Sequence, residues 1–164
     1  QIANNKPDND YLAIEVHQPG VGALLMSINE HKINNIRIIQ YDAVEVLENM
    51  IQDNSITGFH IYFPDPWQKK RHHKRRIIQT ELVNLLIKKL IPNGYIHLAT
   101  DWEEYASWMI DVLSKNNSLV NCATNGNPYI LRPEFRPLTK FEQRGINLGH
   151  KVWDIMYRLM PKTQ

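Results

Sequence analysis

The sequence predicts an α/β fold in which helices flank a mostly parallel β-sheet. Short apolar runs, typical of buried parallel strands, alternate with segments whose apolar residues recur at helical spacing. After Asn116 the pattern changes to two apolar runs on either side of a proline-containing stretch, which predicts an antiparallel hairpin at the end of the sheet. We therefore expect a single domain with helices on both faces of a mixed sheet.

Four apolar runs, each followed by a helical pattern, give the predicted elements in chain order. The predicted strands are residues 11–16, 36–41, 56–63 and 95–99, and the predicted helices are residues 21–31, 43–50, 77–90 and 102–113. The hairpin would pair residues 118–124 with residues 153–160. In its second strand Trp153 and Tyr157 are expected in the core, alternating with Asp154 and Arg158.

Length and composition restrict the class of protein. The 164 residues are 43% hydrophobic and 22% charged, as expected of one globular domain covering residues 1–164. The one cysteine, Cys122, cannot form an internal disulfide, and no apolar run approaches the roughly 20 residues that cross a bilayer. These features indicate a cytoplasmic protein that does not associate with membranes.

A basic run, QKKRHHKRR at residues 68–76, stands out from an otherwise mildly acidic chain. It holds six of the 19 lysines and arginines, so the rest of the chain carries +2 − 6 = −4. Such a run predicts a local phosphate-binding surface, and a solvated basic loop is the alternative. The adjacent His72 and His73 lie among positive charges, and no metal site is expected. His60 is predicted to be a core or half-buried strand residue.

Three acids, Glu15, Asp42 and Asp65, each follow a predicted strand. Since ligands of open parallel sheets bind beyond the carboxyl ends of the strands, we expect the three carboxylates to line one crevice. Carboxylates on neighbouring strands suit the hydroxyls of a ribose or an amino group of a base. The alternative for each is a helix N-cap or first-turn acid, which competes strongly at Asp42.

Asp65 lies in the segment Phe63-Pro64-Asp65-Pro66-Trp67, directly before the basic run. Two prolines fix the backbone around one acid, and a large indole follows. A rigid carboxylate, an aromatic ring and a run of cations together predict nucleic-acid binding. Packing of Trp67 against the sheet is favoured over stacking on a base.

Five segments carry a resemblance to a known family: AIEVHQPGVG (13–22), DAVEVL (42–47), YFPDPWQKKRHHKRR (62–76), ATDWEEYA (99–106) and RPLTKFEQRGINLGHKVWD (136–154). The chain resembles the bacterial tRNA (guanine-N7)-methyltransferases. The resemblance implies a Rossmann-like class I methyltransferase fold and S-adenosylmethionine as cofactor. It further implies methyl transfer to N7 of the guanine at position 46, in the variable loop of tRNA, by a monomer or homodimer without a metal.

The resemblance also assigns residues. Asp65 would be catalytic, and Glu15, Asp42 and Asp65 would bind the cofactor. The implied substrate contacts are Lys69, Asp101, Thr139, Lys140, Phe141 and Glu142. The implied RNA contacts are Arg71, His72, His73, Lys74, Arg75 and Arg76. From the residues alone, Asp101 fits equally well as a helix N-cap, and Glu142 as an exposed loop acid.

The family's glycine-rich loop and first strand would lie before Gln1. We therefore expect this chain to be part of a longer protein and to have little cofactor affinity by itself. Two rival functions also fit the sequence: a non-catalytic RNA-binding module, and a class I methyltransferase with another substrate.

Overall fold

The computed structural model describes residues 1–124 and 126–161, apart from the side chains of Lys140 and Phe141. The chain divides into two units, Gln1–Ile51 with Glu134–Pro137 and Gln52–Pro133 with Leu138–Gln164. The predicted single domain over residues 1–164 stays a prediction. Within the described residues, every helix is too short or too polar to cross a membrane.

The first unit contains two strands and three helices. They are α1 (Ile2–Asn5), β1 (Tyr11–Ile14), α2 (Gln18–Glu30), β2 (Ile36–Ile39) and α3 (Ala43–Asn49). The strands pair in parallel, from Tyr11 opposite Ile36 to Ile14 opposite Ile39. Helix α2 begins before the predicted residue 21, because Pro19 fits the first turn of a helix.

The second unit contains a four-stranded mixed sheet. Its elements are β3 (Ile56–Tyr62), a 3₁₀ helix (Lys70–Arg75), α4 (Thr80–Lys89), β4 (Leu90–Thr100), α5 (Glu103–Ser114), β5 (Leu119–Asn121), α6 (Lys140–Asn147) and β6 (Trp153–Leu159). The strand order is β3-β4-β6-β5. Strands β3 and β4 are parallel, and β6 runs antiparallel to both β4 and β5. The predicted parallel pairing and the closing antiparallel hairpin are confirmed.

One face of this sheet is apolar and packs against α5. Ile96 and Leu98 of β4 lie beside Ile155 and Tyr157 of β6, and all four are buried. Helix α5 contacts both strands and supplies its own buried face, formed by Tyr105, Ala106, Met109, Val112 and Leu113. This layer is the core of the second unit.

The other face of the sheet carries hydrogen-bonded polar side chains. His60 Nε2 lies 2.8 Å from the Tyr95 hydroxyl, and the Tyr62 hydroxyl lies 2.9 Å from His97 Nδ1. His97 Nε2 in turn lies 2.8 Å from Asp154 Oδ1, and both residues are buried. The half-buried His60 is confirmed. Asp154 lies on the face opposite Tyr157, as the alternation predicts, and it is nevertheless buried. Its buried carboxylate is satisfied by His97.

Candidate active site

Two carboxylates lie at the carboxyl ends of the parallel strands of the first unit. Glu15 follows β1, and its backbone amide donates to the Ile39 carbonyl, 3.1 Å away. Its Oε1 accepts a hydrogen bond of 2.8 Å from the His17 amide. At Gly20 an added Cβ would lie 3.3 Å from Glu15 Oε2, so a larger residue there would crowd the carboxylate. Asp42 follows β2, three residues after its last residue, Ile39.

Asp42 is also the N-cap of α3. Its Oδ1 accepts hydrogen bonds from the amides of Val44 at 2.8 Å and Glu45 at 3.1 Å. The capping alternative is therefore confirmed for this residue. Among the residues that the structure describes, none donates to the second carboxylate oxygen, which is exposed. One carboxylate can thus cap the helix and still accept from a ligand.

In the second unit, Asp65 lies in a turn with unusual backbone angles. The turn follows β3 and begins with Phe63, whose amide donates to the Ala99 carbonyl at 2.7 Å. Phe63 has φ 52° and Trp67 has φ 44°, both in the left-handed region that side chains other than glycine seldom adopt. Pro64 and Pro66 fix the backbone on either side of the acid, so Asp65 is held in a tightly restricted turn.

A pocket of about 910 Å³ opens beside this turn. Asp65 and Asp101 both line it, because they follow the neighbouring parallel strands β3 and β4 at the same edge of the sheet. The remaining lining residues are Phe63, Pro64, Pro66, Gln68, Trp102, Glu103, Glu104, His150, Lys151 and Trp153. The pocket therefore combines aromatic walls with four carboxylates.

Asp101 does not cap the helix that follows it. Helix α5 begins at Glu103, its N-cap position is Trp102, and the Trp102 amide donates to Thr100 Oγ1 at 3.2 Å. The N-cap alternative for Asp101 is wrong, and its carboxylate lines the pocket instead. The indole nitrogen of Trp102 is buried and finds no hydrogen-bond partner within the described part of the chain.

The basic run forms a 3₁₀ helix rather than an irregular loop. Five of its six lysines and arginines are exposed: Lys69, Lys70, Arg71, Lys74 and Arg75. Arg75 stacks over the Trp67 ring with its guanidinium 5.0 Å from the centroid, and His72 meets the same ring edge-on. A smaller cavity of about 350 Å³ here is lined by Asp65, Pro66, Trp67, Gln68, Lys69 and His72. Cations and an aromatic ring thus adjoin Asp65.

Arg76, the last cation of the run, differs from the others. It is only 2% exposed, and its Nε donates to the Pro66 carbonyl at 2.8 Å. Burial weighs against the RNA contact expected for Arg76, because a phosphate has no access to its guanidinium in this structure. RNA contacts of the other residues in the run stay predictions.

The predicted substrate-contact segment begins α6. Thr139 is its N-cap, and its hydroxyl accepts from the Glu142 amide at 3.0 Å, as in a capping box. Glu142 is 3% exposed, so the alternative of an exposed loop acid is wrong. The predicted contacts of the Lys140 and Phe141 side chains lie outside the described part of the chain.

The structure brings together two sets of predicted residues. Glu15 and Asp42 both follow the carboxyl ends of the paired strands of the first unit, while Asp65 and Asp101 share a pocket beside the basic helix of the second. A single crevice containing all three strand-end acids stays a prediction. Sequence reasoning missed Trp102, although its position directly after a strand-end acid marks it as a pocket residue. No group of three or more possible metal ligands occurs among the described residues.

Comparison with known proteins identifies the fold and the family. The model of a family described as "Putative methyltransferase" matches residues 1–155. Solved structures with the same fold include an rRNA methylase from Streptococcus thermophilus, at TM-score 0.59 and 12% identity over 93% of this chain and 74% of that one. A tRNA (m1A58) methyltransferase from Aquifex aeolicus has TM-score 0.57 and 9% identity over 93% and 54%. The fold is therefore that of class I methyltransferases.

Much more similar sequences have a more specific name, tRNA (guanine-N(7)-)-methyltransferase. The Methylobacillus flagellatus protein is 56% identical over 96% of this chain and 65% of its own length. The Chromobacterium violaceum protein is 58% identical over 96% and 69%. A third, from Paraburkholderia xenovorans, is 56% identical, and this chain spans 60% of its length. The chain thus spans somewhat less than two thirds of several of these relatives, and it belongs to the bacterial tRNA (guanine-N7)-methyltransferase family.

Proposed function

We propose that the full-length protein transfers a methyl group from S-adenosylmethionine to N7 of a guanine in the variable loop of tRNA, in the cytoplasm. The observation that carries the proposal is the pocket formed by Asp65 and Asp101, which adjoins the exposed cations of the 3₁₀ helix. A pocket for a base beside a surface for phosphates suits a nucleic-acid substrate. The names of the family's relatives specify tRNA and guanine N7.

Glu15 and Asp42 fit the nucleoside part of the cofactor. Carboxylates at the ends of neighbouring parallel strands accept hydrogen bonds from ribose hydroxyls or from an adenine amino group. The second oxygen of Asp42 is exposed, and the small Gly20 keeps space beside Glu15. When bound, S-adenosylmethionine supplies an electrophilic methyl group on a sulfonium.

Methyl transfer to guanine N7 requires no proton transfer before the methyl group moves. Guanine N7 carries a lone pair and no proton at neutral pH, so no side chain has to act as a general base. The residues of the pocket must position the base and offset the positive charge that the imidazole ring acquires. We assign this charge-stabilising role to Asp65, which the turn holds in a fixed place.

Recognition of guanine requires acceptors for its two adjacent Watson–Crick donors. A carboxylate can accept both hydrogen bonds, which adenine cannot supply. Asp101 lines the pocket and is only partly exposed, which supports this role. Glu142 is buried, so a contact with the base would require α6 to move.

The decisive experiment uses the full-length protein, labelled S-adenosylmethionine and two synthetic tRNAs. One carries guanosine in the variable loop, and the other carries 7-deazaguanosine, which has a C–H group in place of N7. We expect label in the first tRNA and none in the second. A non-catalytic RNA-binding module would label neither, and label in the deaza tRNA would show that N7 is not the acceptor.

A further inference from the structure

Arg76 is the one buried guanidinium of the basic run. Its side chain is fully enclosed, while those of the neighbouring Lys74 and Arg75 are exposed. Burying an arginine is costly unless partners match its charge and donors. Nη1 of Arg76 is buried and has no hydrogen-bond partner among the described residues, so the contacts of Nε and Nη2 indicate the role of the side chain.

The guanidinium contacts three different parts of the second unit. Nε donates to the Pro66 carbonyl in the Asp65 turn at 2.8 Å. Nη2 lies 3.0 Å from His73 Nε2 in the 3₁₀ helix and 3.3 Å from Glu104 Oε1 in the first turn of α5. One side chain therefore joins the basic helix, the turn that carries the proposed catalytic acid, and a wall of the pocket.

Aromatic rings on α5 hold the guanidinium in place. It lies 4.9 Å from the Tyr105 ring centroid and 5.2 Å from that of Trp108. Both residues also hold the chain just after Arg76: the Trp108 indole donates to the Ile78 carbonyl at 2.8 Å, and the Ile78 amide donates to the Tyr105 hydroxyl at 3.3 Å. Burial raises the pKa of the Tyr105 phenol, although the hydrogen bond with Ile78 and the charge of Arg76 act in the opposite direction.

His73 and Glu104 both lie beside Nη2 of Arg76. Since a guanidinium can only donate, His73 Nε2 is the acceptor of the Arg76–His73 hydrogen bond. The same histidine nitrogen lies 3.3 Å from Glu104 Oε1, which also accepts from Arg76. Arg76 is thus the central residue of a cluster formed by His73, Arg76 and Glu104, in which the other two side chains accept its hydrogen bonds.

We infer that Arg76 is a positioning residue for methyl transfer, which connects the RNA-binding 3₁₀ helix to the Asp65 turn and to Glu104, and that it does not bind phosphate. This inference rests on the proposed function. Phosphates that bind the exposed cations of the helix would act on the pocket through the Arg76 contacts. Lysine cannot replace it, because one ammonium group lacks the planar fork that reaches three acceptors between two rings.

The test is Arg76→Lys in the full-length protein, with kcat measured at saturating tRNA and the dissociation constant for tRNA measured across a salt series. We expect kcat to fall by about tenfold or more, with tRNA affinity within about twofold of wild type and an unchanged salt slope. Lys74→Ala is the matched control from the exposed part of the run. It should weaken tRNA binding and reduce the salt slope by about one.

Glu104→Gln provides a second variant, which keeps the shape of the acceptor and removes its charge. It should lower kcat at constant tRNA affinity, and its effect should not add to that of Arg76→Lys. If Arg76→Lys does not fold, Glu104→Gln decides alone, because it weakens the same link from the other side. The inference is overturned if Arg76→Lys reduces the salt slope while keeping kcat, or if kcat stays within about twofold in every variant that folds.

A separate measurement distinguishes failure of this inference from failure of the proposed function. Wild-type protein that methylates no tRNA would contradict the proposed function. Hydrogen exchange of the Asp65 and Trp67 amides still tests the positioning role, since it needs no activity. Faster exchange in Arg76→Lys supports the link, and exchange at the wild-type rate refutes it.

Discussion

At the scale of single residues, Asp42 caps α3 and is proposed to bind the cofactor, and one substitution can separate the two roles. Asparagine caps a helix as well as aspartate does, but it has no charge and one acceptor oxygen fewer. We therefore expect Asp42→Asn in the full-length protein to lower affinity for S-adenosylmethionine about tenfold, through a lost charged hydrogen bond. Calorimetric titration measures the affinity, and thermal unfolding should show an unchanged midpoint.

The matched control, Asp42→Ala, removes the cap as well as the charge. It should cost about 1 kcal/mol of stability in addition to the cofactor affinity. Cofactor affinity within twofold of wild type in Asp42→Asn would leave Asp42 with the capping role alone.

Asp65 is the proposed source of charge stabilisation in the pocket. Asp65→Asn keeps the size of the side chain and removes the charge, so kcat should fall by clearly more than about threefold. Steady-state kinetics on the full-length protein measure it, with Glu81→Gln on the exposed side of α4 as a control that should not change the rate. A smaller loss, under about 0.7 kcal/mol of barrier, would reduce Asp65 to a structural residue of the turn.

Sequence reasoning at this scale succeeded where a residue's role depends on its neighbours in the chain. Asp42 was predicted as both a cap and a strand-end acid because both patterns are local. The burial of Arg76 and Asp154 could not be predicted in the same way. Their partners, Glu104 and His97, lie 28 and 57 residues away in the sequence. A charged residue is predicted to be exposed from the sequence, because charged residues are seldom buried without a partner and the partner is not visible in the local sequence.

At the scale of elements, the pairing of β3 with β4 depends on Gly58. An added Cβ there would lie 2.4 Å from the Tyr95 ring, so the ring would have to move and the His60–Tyr95 hydrogen bond would be lost. We expect Gly58→Ala to cost about 1–3 kcal/mol in denaturant unfolding. The control is Gly22→Ala in α2, where the added Cβ meets no atom within 4 Å, and alanine should stabilise the helix slightly. Equal stability of the two variants would contradict this packing.

The polar face of the same sheet predicts a dependence of stability on pH. Burial and, to a lesser degree, the nearby His97 lower the pKa of His60 to about 4. In the unfolded chain histidine titrates near 6.5, so the unfolded state takes up a proton first as the pH falls. Stability is complete above about pH 6.5 and declines toward pH 4, by at most about 3 kcal/mol.

Thermal unfolding between pH 7 and pH 4.5 measures this decline. His60→Gln retains a polar partner for Tyr95 but does not titrate, so its stability should decline less steeply than that of wild type. Parallel curves for the two proteins would mean that His60 contributes nothing to the pH dependence.

The main strands and helices followed from periodicity, but α1, α6 and the 3₁₀ helix did not, and the start of β4 was missed. Helix α6 has a capping box yet few apolar residues and an internal glycine, Gly145, so its pattern is weak. The 3₁₀ helix consists of basic residues without an apolar face. Strand β4 begins at Leu90, before the predicted residue 95, and its pairing with β3 shifts register between Ile56 and Gly58. Pro92 and Gly94 are typical of a turn, so the sequence did not predict a strand at residues 90–94.

At the scale of the molecule, the burial of Arg76 reduces the predicted phosphate-binding surface to five exposed cations. If all five meet phosphates, the logarithm of the tRNA association constant should fall with the logarithm of salt concentration at a slope of about −3.5 to −4.5. Filter binding or fluorescence anisotropy over a salt series measures the slope. A value near zero would show that this surface does not bind RNA backbone.

The α/β class and the closing antiparallel hairpin could be predicted because they depend on patterns repeated along the whole chain. The family resemblance added the cofactor and the substrate, which depend on short segments such as residues 62–76 and 99–106. Composition alone did not indicate the cofactor or the substrate, because many α/β proteins contain similar fractions of acidic and aromatic residues. The Asp65 pocket required coordinates, since its walls come from the turn after β3, the start of α5 with the two residues before it, and the segment that leads into β6.

The left-handed angles of Phe63 and Trp67, on either side of a proline-flanked acid, have a thermodynamic consequence for ligand binding. The turn has few other conformations open to it, so Asp65 loses most of its conformational freedom when the chain folds. Little entropy then remains to be lost when a base arrives, and more of the contact energy can appear as affinity. Loosening the turn with Pro66→Gly should thus weaken binding mainly through entropy, even though every contact group is still present.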